Sequence, residues 1–210
     1  MPPAGSRPLR ADAQLNHDRV LEAAAQAFAR EGTQASLKAI AKDAGVGIGT
    51  LYRRFPTRET LVEATYRNEV TRLCDSALDL LSNVPAPQAL RIWMDHFIDF
   101  MATKNAMADA LRTLLVSEAD IMHTRALLTG ALAELLTAGT ADKTIRSDID
   151  PTDVLMSLGG ITLIAGELDQ RDLARRLLDL LMDGLRYFPP GARQTATARH
   201  AKRSCRDSGH

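Results

Sequence analysis

Cysteine is nearly missing from this chain: Cys74 and Cys205 are the only two among 210 residues, and they lie far apart. That count excludes a disulfide framework and a cysteine-based metal site, so a reducing cytoplasm is the expected compartment. Long apolar runs are missing too. The longest uncharged stretch of the body runs from Val154 to Gly166, short of the ~20 apolar residues that a membrane span needs. Met1-Pro2-Pro3-Ala4-Gly5 offers no apolar signal core, so neither secretion nor a membrane partner is expected. Net charge is also absent, with 26 basic and 26 acidic residues. What remains is ordinary for a globular protein, 45% hydrophobic and 25% charged, which rules against wholesale disorder. The length allows one sizeable core or two small ones.

Zero net charge conceals a segregation. Residues 36–58 carry five bases (Lys38, Lys42, Arg53, Arg54, Arg58) against Asp43 alone, whereas residues 59–190 carry twelve bases against twenty acids. A short positive segment on an acidic body is the pattern of a local anion-binding face. Chemical motifs are scarce. Gly45-Val46-Gly47-Ile48-Gly49-Thr50 lacks the GxGxxG spacing, a preceding strand and a P-loop lysine; G-x-S-x-G and H-E-x-x-H are absent as well. No enzyme activity and no cofactor are therefore expected. Asp95, His96 and Asp99 share one helical turn, and Asp120 precedes His123 by three residues. Such groups are ordinary on solvated helix faces, and no metal is assigned to them.

Helical spacing dominates the chain. Val20, Leu21, Ala24, Ala27 and Phe28 form one stripe between a cap at Asn16 and Gly32, and Leu37, Ile40, Ala41 and Ala44 form a shorter one ending at Gly45. A third short helix must end by Phe55, because Pro56 disfavours helical geometry in the residue before it. Thr57 caps a long helix reaching about Leu81, and further helices are expected near 88–103, 106–116, 119–138, 151–166 and 170–187, with Pro151 at a first helical position. The fold class is all-α: an N-terminal three-helix helix-turn-helix domain followed by a larger helical bundle. The expected divisions are a disordered arm at 1–14, the helix-turn-helix at 15–60, the bundle at 61–190 and a disordered basic tail at 191–210. Arg199, Lys202, Arg203 and Arg206 of the tail would add non-specific phosphate attraction.

Helix, tight glycine turn, helix is the arrangement whose second member lies in the DNA major groove. On that second member, Leu51 and Phe55 stand four apart and face a small core, which turns Thr50, Arg53 and Arg54 outward with Tyr52 at the margin. Phe28-Ala29-Arg30-Glu31-Gly32, Ile40-Ala41-Lys42-Asp43-Ala44-Gly45-Val46 and Gly49-Thr50-Leu51-Tyr52-Arg53-Arg54-Phe55 together resemble the DNA-binding domain of the TetR (tetracycline repressor-like) transcriptional regulators, over about residues 15–75. The resemblance implies that Tyr52, Arg58 and Ser36 meet phosphates and that Lys38, Thr50 and Arg53 read bases, Arg53 being suited to guanine. Gly49 falls inside the matching segment, and Ile48 offers an apolar contact to a thymine methyl. Gly47 departs from the family's polar cap. Plainer roles stay open: Tyr52 packing on Arg58 and the fourth helix, and Lys42 and Arg54 as solvated surface.

The body suggests a binding role. Six of seven methionines and Trp93 lie there, and flexible thioethers with an aromatic ring suit an adaptable apolar cavity. Trp93, Phe97, Met101, Arg112 and Met122 are the candidate lining; methionine as plain core is the competing reading. Leu173, Leu177, Leu180, Leu181 and Leu185 form a ridge on the last helix, while Ser157, Gly159 and Gly160 allow close approach on the one before. These make the expected homodimer face. The resulting reading is a homodimeric, cytoplasmic repressor that leaves a palindromic double-stranded DNA operator when a small apolar or amphipathic effector binds. The alternative is an all-helical small-molecule-binding protein or enzyme with no DNA role.

Overall fold

The computed structural model describes residues 6–114, 118–165 and 170–187, and these are helical almost throughout. The order is α1 (Ser6–Glu31), a single 3-10 turn (Gly32–Gln34), α2 (Leu37–Asp43), α3 (Ile48–Arg54), α4 (Arg58–Asn83), α5 (Ala86–Ala106), α6 (Ala108–Leu114), α7 (Glu118–Ala141), α8 (Pro151–Ala165) and α9 (Arg171–Leu185). Among the described residues the only extended pairing is one antiparallel bridge, Ile145 to Arg186. Residues 1–5, 115–117, 166–169 and 188–210, with the whole basic tail, lie outside the described residues.

Local chemistry sets the helix ends. Gly32 turns the chain at φ +64°, a conformation that glycine adopts without strain. Ser36 caps α2 by accepting from the Ala39 amide at 3.3 Å. Thr57 and Thr60 form a reciprocal capping box, each hydroxyl accepting from the other's backbone amide at 3.2 Å, and this fixes the start of α4. Asp150 caps α8 through the Thr152 amide at 2.7 Å. One boundary differs from the sequence reading: α1 starts at Ser6, not at Asn16, so residues 6–14 are helix and not an arm. Asn16 has a capping side chain, yet nothing upstream of it breaks the helix. Pro8 falls in the first turn, where its missing N–H would have no intrahelical partner.

One continuous apolar core joins both ends of the molecule, from Phe28, Ile40 and Leu51 through Leu61 and Trp93 to Leu132 and Leu158. α4 packs along α1, α5 and α7 within it, so the expected 60/61 division falls inside a helix. Trp93 is fully buried, and its indole N–H donates to the Leu73 carbonyl at 2.9 Å. That bond removes the cost of an unpaired buried donor while the ring joins α5 to α4. Outside the core, Arg91 of α5 reaches both Asp95 (2.5 Å) and Asp179 of α9 (2.9 Å), and Arg171 pairs with Asp99. Both Asp95 and Asp99 of the rejected metal cluster are therefore engaged by guanidinium groups.

Candidate nucleic-acid interface and effector cavity

Three backbone bonds build the turn between α2 and α3. The Ala44 amide donates to Ile40 O (2.9 Å), Gly45 to Lys42 O (3.0 Å) and Val46 to Ala41 O (2.9 Å). Gly45 sits at φ +66°, and a Cβ there would stand 2.3 Å from an Arg19 guanidinium nitrogen. The backbone conformation selects glycine, whereas the crowding guanidinium is the far end of a flexible side chain that can move aside. α3 then projects from this turn with Leu51 and Phe55 buried, at 1% and 5% exposure. Its other residues, Ile48, Gly49, Thr50, Tyr52, Arg53 and Arg54, are exposed. Burial of two residues four apart thus turns the polar face outward. Gly47 opens the helix without a side-chain cap.

Lys38, on the first turn of α2, is exposed as well. Among the described residues no carboxylate pairs with Lys38, Lys42 or Arg53, so this face keeps its positive charge. The Ser36 hydroxyl is exposed but serves as the α2 cap. Arg58, expected as a phosphate anchor, also has a structural role: one terminal nitrogen of its guanidinium donates to both Thr33 O and Ala35 O at 2.6 Å. It ties the first turn of α4 to the chain entering α2. Arg54 is also more than solvated surface. Its Nε donates to His17 Nδ1 at 3.2 Å, and the His17 ring stacks on Phe55 with centroids 5.5 Å apart. Burial and, secondly, the Arg54 charge lower the His17 pKa. α1 and α3 thereby enclose a groove to which Thr50 and Arg53 contribute.

A second feature lies in the body, a cavity of about 510 Å³ bounded by α4, α5, α6, α7 and α8. Phe97 and Arg112 line it as expected. Trp93 does not, because its ring is committed to the core and its N–H to Leu73. Met101 is half-buried against the core and Met122 is exposed, and neither lines the cavity. Sequence reasoning missed Tyr66, Lys104, Thr124 and Arg125. A signal existed: Lys104 stands seven residues after Phe97, and Arg125 falls between Ile121 and Leu128 at spacings of four and three, each on a lining face.

On α8 and α9, Met156, Leu163, Ile164 and Leu180 are exposed, Leu163 to 89%. Leu177 and Leu181 are half-buried and Leu185 is buried, so part of the expected ridge is core. No helix among the described residues is long and apolar enough to cross a membrane.

Residues 20–65 match the family described as bacterial regulatory proteins, tetR family, and residues 85–187 match the one described as transcriptional regulator SbtR-like, C-terminal domain. A crystal structure of a TetR transcriptional regulator from Streptomyces coelicolor is 50% identical with a TM-score of 0.75, covering 81% of this chain and 98% of that one. A TetR transcription regulatory protein from Mycobacterium vanbaalenii is 34% identical with a TM-score of 0.69, covering 85% and 99%. An HTH-type transcriptional regulator of Staphylococcus aureus (strain USA300) is 28% identical over 108 residues, 49% of this chain. That match spans only 57% of the length of the curated relative.

Proposed function

This chain belongs to the TetR family of transcriptional regulators, and on that premise we propose that it is a homodimeric repressor whose α3 reads a palindromic operator until an effector enters the cavity of the body. The observation that carries the reading is the outward, uncompensated polar face of α3, held by two buried anchors. Thr50 and Arg53 supply groups for base edges, Lys38 reads from α2, and Tyr52 meets the phosphate backbone. Ile48 and Gly49 let the start of α3 approach the bases closely, and the Ser36 turn lies at the duplex edge. One seven-residue helix offers too few contacts for useful specificity. Two copies, paired through α8 and α9 and spaced by one or more turns of ~34 Å, square the discrimination.

α4 connects the two sites. Arg58 holds the reading head at one end of the helix, while Tyr66 lines the cavity eight residues on, about 12 Å at 1.5 Å per residue. The Tyr66 hydroxyl donates to Thr124 of α7 at 3.5 Å. An effector between α4 and α7 displaces α4, and with it the spacing of the two heads. A coupling of ~1–3 kcal/mol, or about 5–150-fold in operator affinity, suffices for induction. A mobility-shift assay of the full chain against fragments of its own genome, with excess random duplex as competitor, tests the DNA role. Retention of particular fragments is expected; equal displacement of every fragment would overturn it.

A further inference from the structure

The cavity has a charge character at odds with the helices that build it. The body from 59 to 190 holds twenty acids against twelve bases, yet among the described residues the cavity lining contains Lys104, Arg112 and Arg125 and no carboxylate. Arg112 is the least significant of the three, because Asp109 holds it at 2.6 Å on an exposed face. Lys104 and Arg125 have no ion-pair partner among the described residues. Lys104 is half-buried in the last turn of α5, where burial lowers its pKa from the ordinary lysine value. Arg125 is exposed where it lines the cavity, which places it at the mouth. The apolar part of the lining includes Phe97, Leu111, Leu128 and Leu155.

We propose that this cavity binds an organic anion, an apolar body carrying one carboxylate, with the carboxylate held by Lys104 and met at the mouth by Arg125. The proposal rests on the reading of the cavity as the effector site and adds the chemical class of the effector. A half-buried ammonium with no counter-ion is a costly arrangement, and a charged partner is what relieves it. A neutral ligand leaves Lys104 uncompensated, and a cationic one is repelled by both groups. The Tyr66 and Thr124 hydroxyls, 3.5 Å apart, sit at the long limit for an O–H···O bond. Either can turn to a carboxylate oxygen, which ties recognition of the anion to the α4–α7 contact. The volume of about 510 Å³ lies in the ordinary range for small-molecule sites.

The only tryptophan, Trp93, stacks on Phe97 with centroids 5.9 Å apart, so its fluorescence reports what occupies the cavity. The full-length protein is titrated with two matched pairs below their micelle-forming concentrations, decanoate against decanol and 4-pentylbenzoate against 4-pentylbenzyl alcohol, and also with decyltrimethylammonium. At least one carboxylate is expected to bind tenfold or more tighter than its alcohol, which corresponds to about 1.4 kcal/mol. Lys104→Met is expected to bring the members of that pair within about threefold while leaving alcohol binding intact. Equal affinity for acid and alcohol, preference for the ammonium probe, an undiminished preference in Lys104→Met, or no binding by any probe would overturn the proposal. The effector reading fails by a different result: a carboxylate that binds with the expected preference yet leaves operator affinity unchanged at saturation.

Discussion

Arg58→Ala is the perturbation that best separates a clamp from a phosphate contact. One nitrogen of Arg58 donates to two backbone carbonyls, Thr33 O and Ala35 O, at 2.6 Å each. A hydrogen bond to a charged group contributes ~1.5–3 kcal/mol. Because the site is half-buried, water partly replaces the lost donors, and the low end applies to each bond. Arg58→Ala is therefore expected to cost about 3 kcal/mol, a fall in Tm of roughly 6–12 °C for a chain of this size. Arg58→Lys, with one ammonium in place of a planar fork, keeps about half of that stabilisation. Urea unfolding followed by circular dichroism measures the change, with the dependence on urea concentration unaltered. DNA affinity is expected to fall for all sequences alike, with an unchanged salt slope. Unchanged stability together with a salt slope reduced by about one unit would refute the clamp and restore Arg58 as a phosphate anchor.

Three further outcomes follow from other parts of the molecule. A Cβ at Gly139 would stand 2.5 Å from Cδ1 and 2.7 Å from Cγ1 of the buried Ile145, so Gly139→Ala is expected to destabilise by ~1–3 kcal/mol through overpacking; a thermal midpoint at or above that of the wild type would contradict this. His17 accepts from Arg54 only while Nδ1 is unprotonated, and its pKa lies below the ordinary 6.5. Its contribution is present above pH 6.5 and is lost as the pH falls through the lowered value, although Asp18 offsets part of the effect. His17→Phe is expected to flatten the stability profile below pH 6.5, and an unchanged slope would remove His17 from the account. Leu180 is 69% exposed on α9; Leu180→Glu removes apolar burial twice per dimer, at ~1.5–3 kcal/mol each. Sedimentation is expected to show dimerisation weakened at least about a hundredfold, and a dimer of undiminished strength would place the pairing surface elsewhere.

Helix ends that rest on a single local rule were legible in the sequence. Pro56 limits α3, Thr57 starts α4, and Asp150-Pro151 starts α8, because each acts on its own neighbours. The start of α1 was not legible, since a cap residue at Asn16 does not break a helix whose upstream residues can continue it. The outward face of α3 was equally readable, because burial of Leu51 and Phe55 leaves few places for Thr50 and Arg53 to point. The cavity was read only in part. Which face of a long helix meets an empty space depends on how helices cross, and periodicity alone carries no crossing angle. Hence Phe97 and Arg112 fall on the lining, Trp93 belongs to the core, and Lys104 and Arg125 join the lining from positions that no motif marks. The partners of Arg54 and Arg58 could not be read either, because each bond reaches more than twenty residues along the chain.

The central claim is that two copies of α3 read sequence in a duplex. Selection of bound sites from a random-sequence duplex library, run in parallel with the wild type and Arg53→Ala, tests it most directly. The expected result is a two-fold symmetric motif with half-sites separated by a multiple of about 10 base pairs. One position in each half-site is relaxed in Arg53→Ala, at ~1–3 kcal/mol. No enriched motif, a motif without symmetry, or an identical motif from both proteins would contradict it.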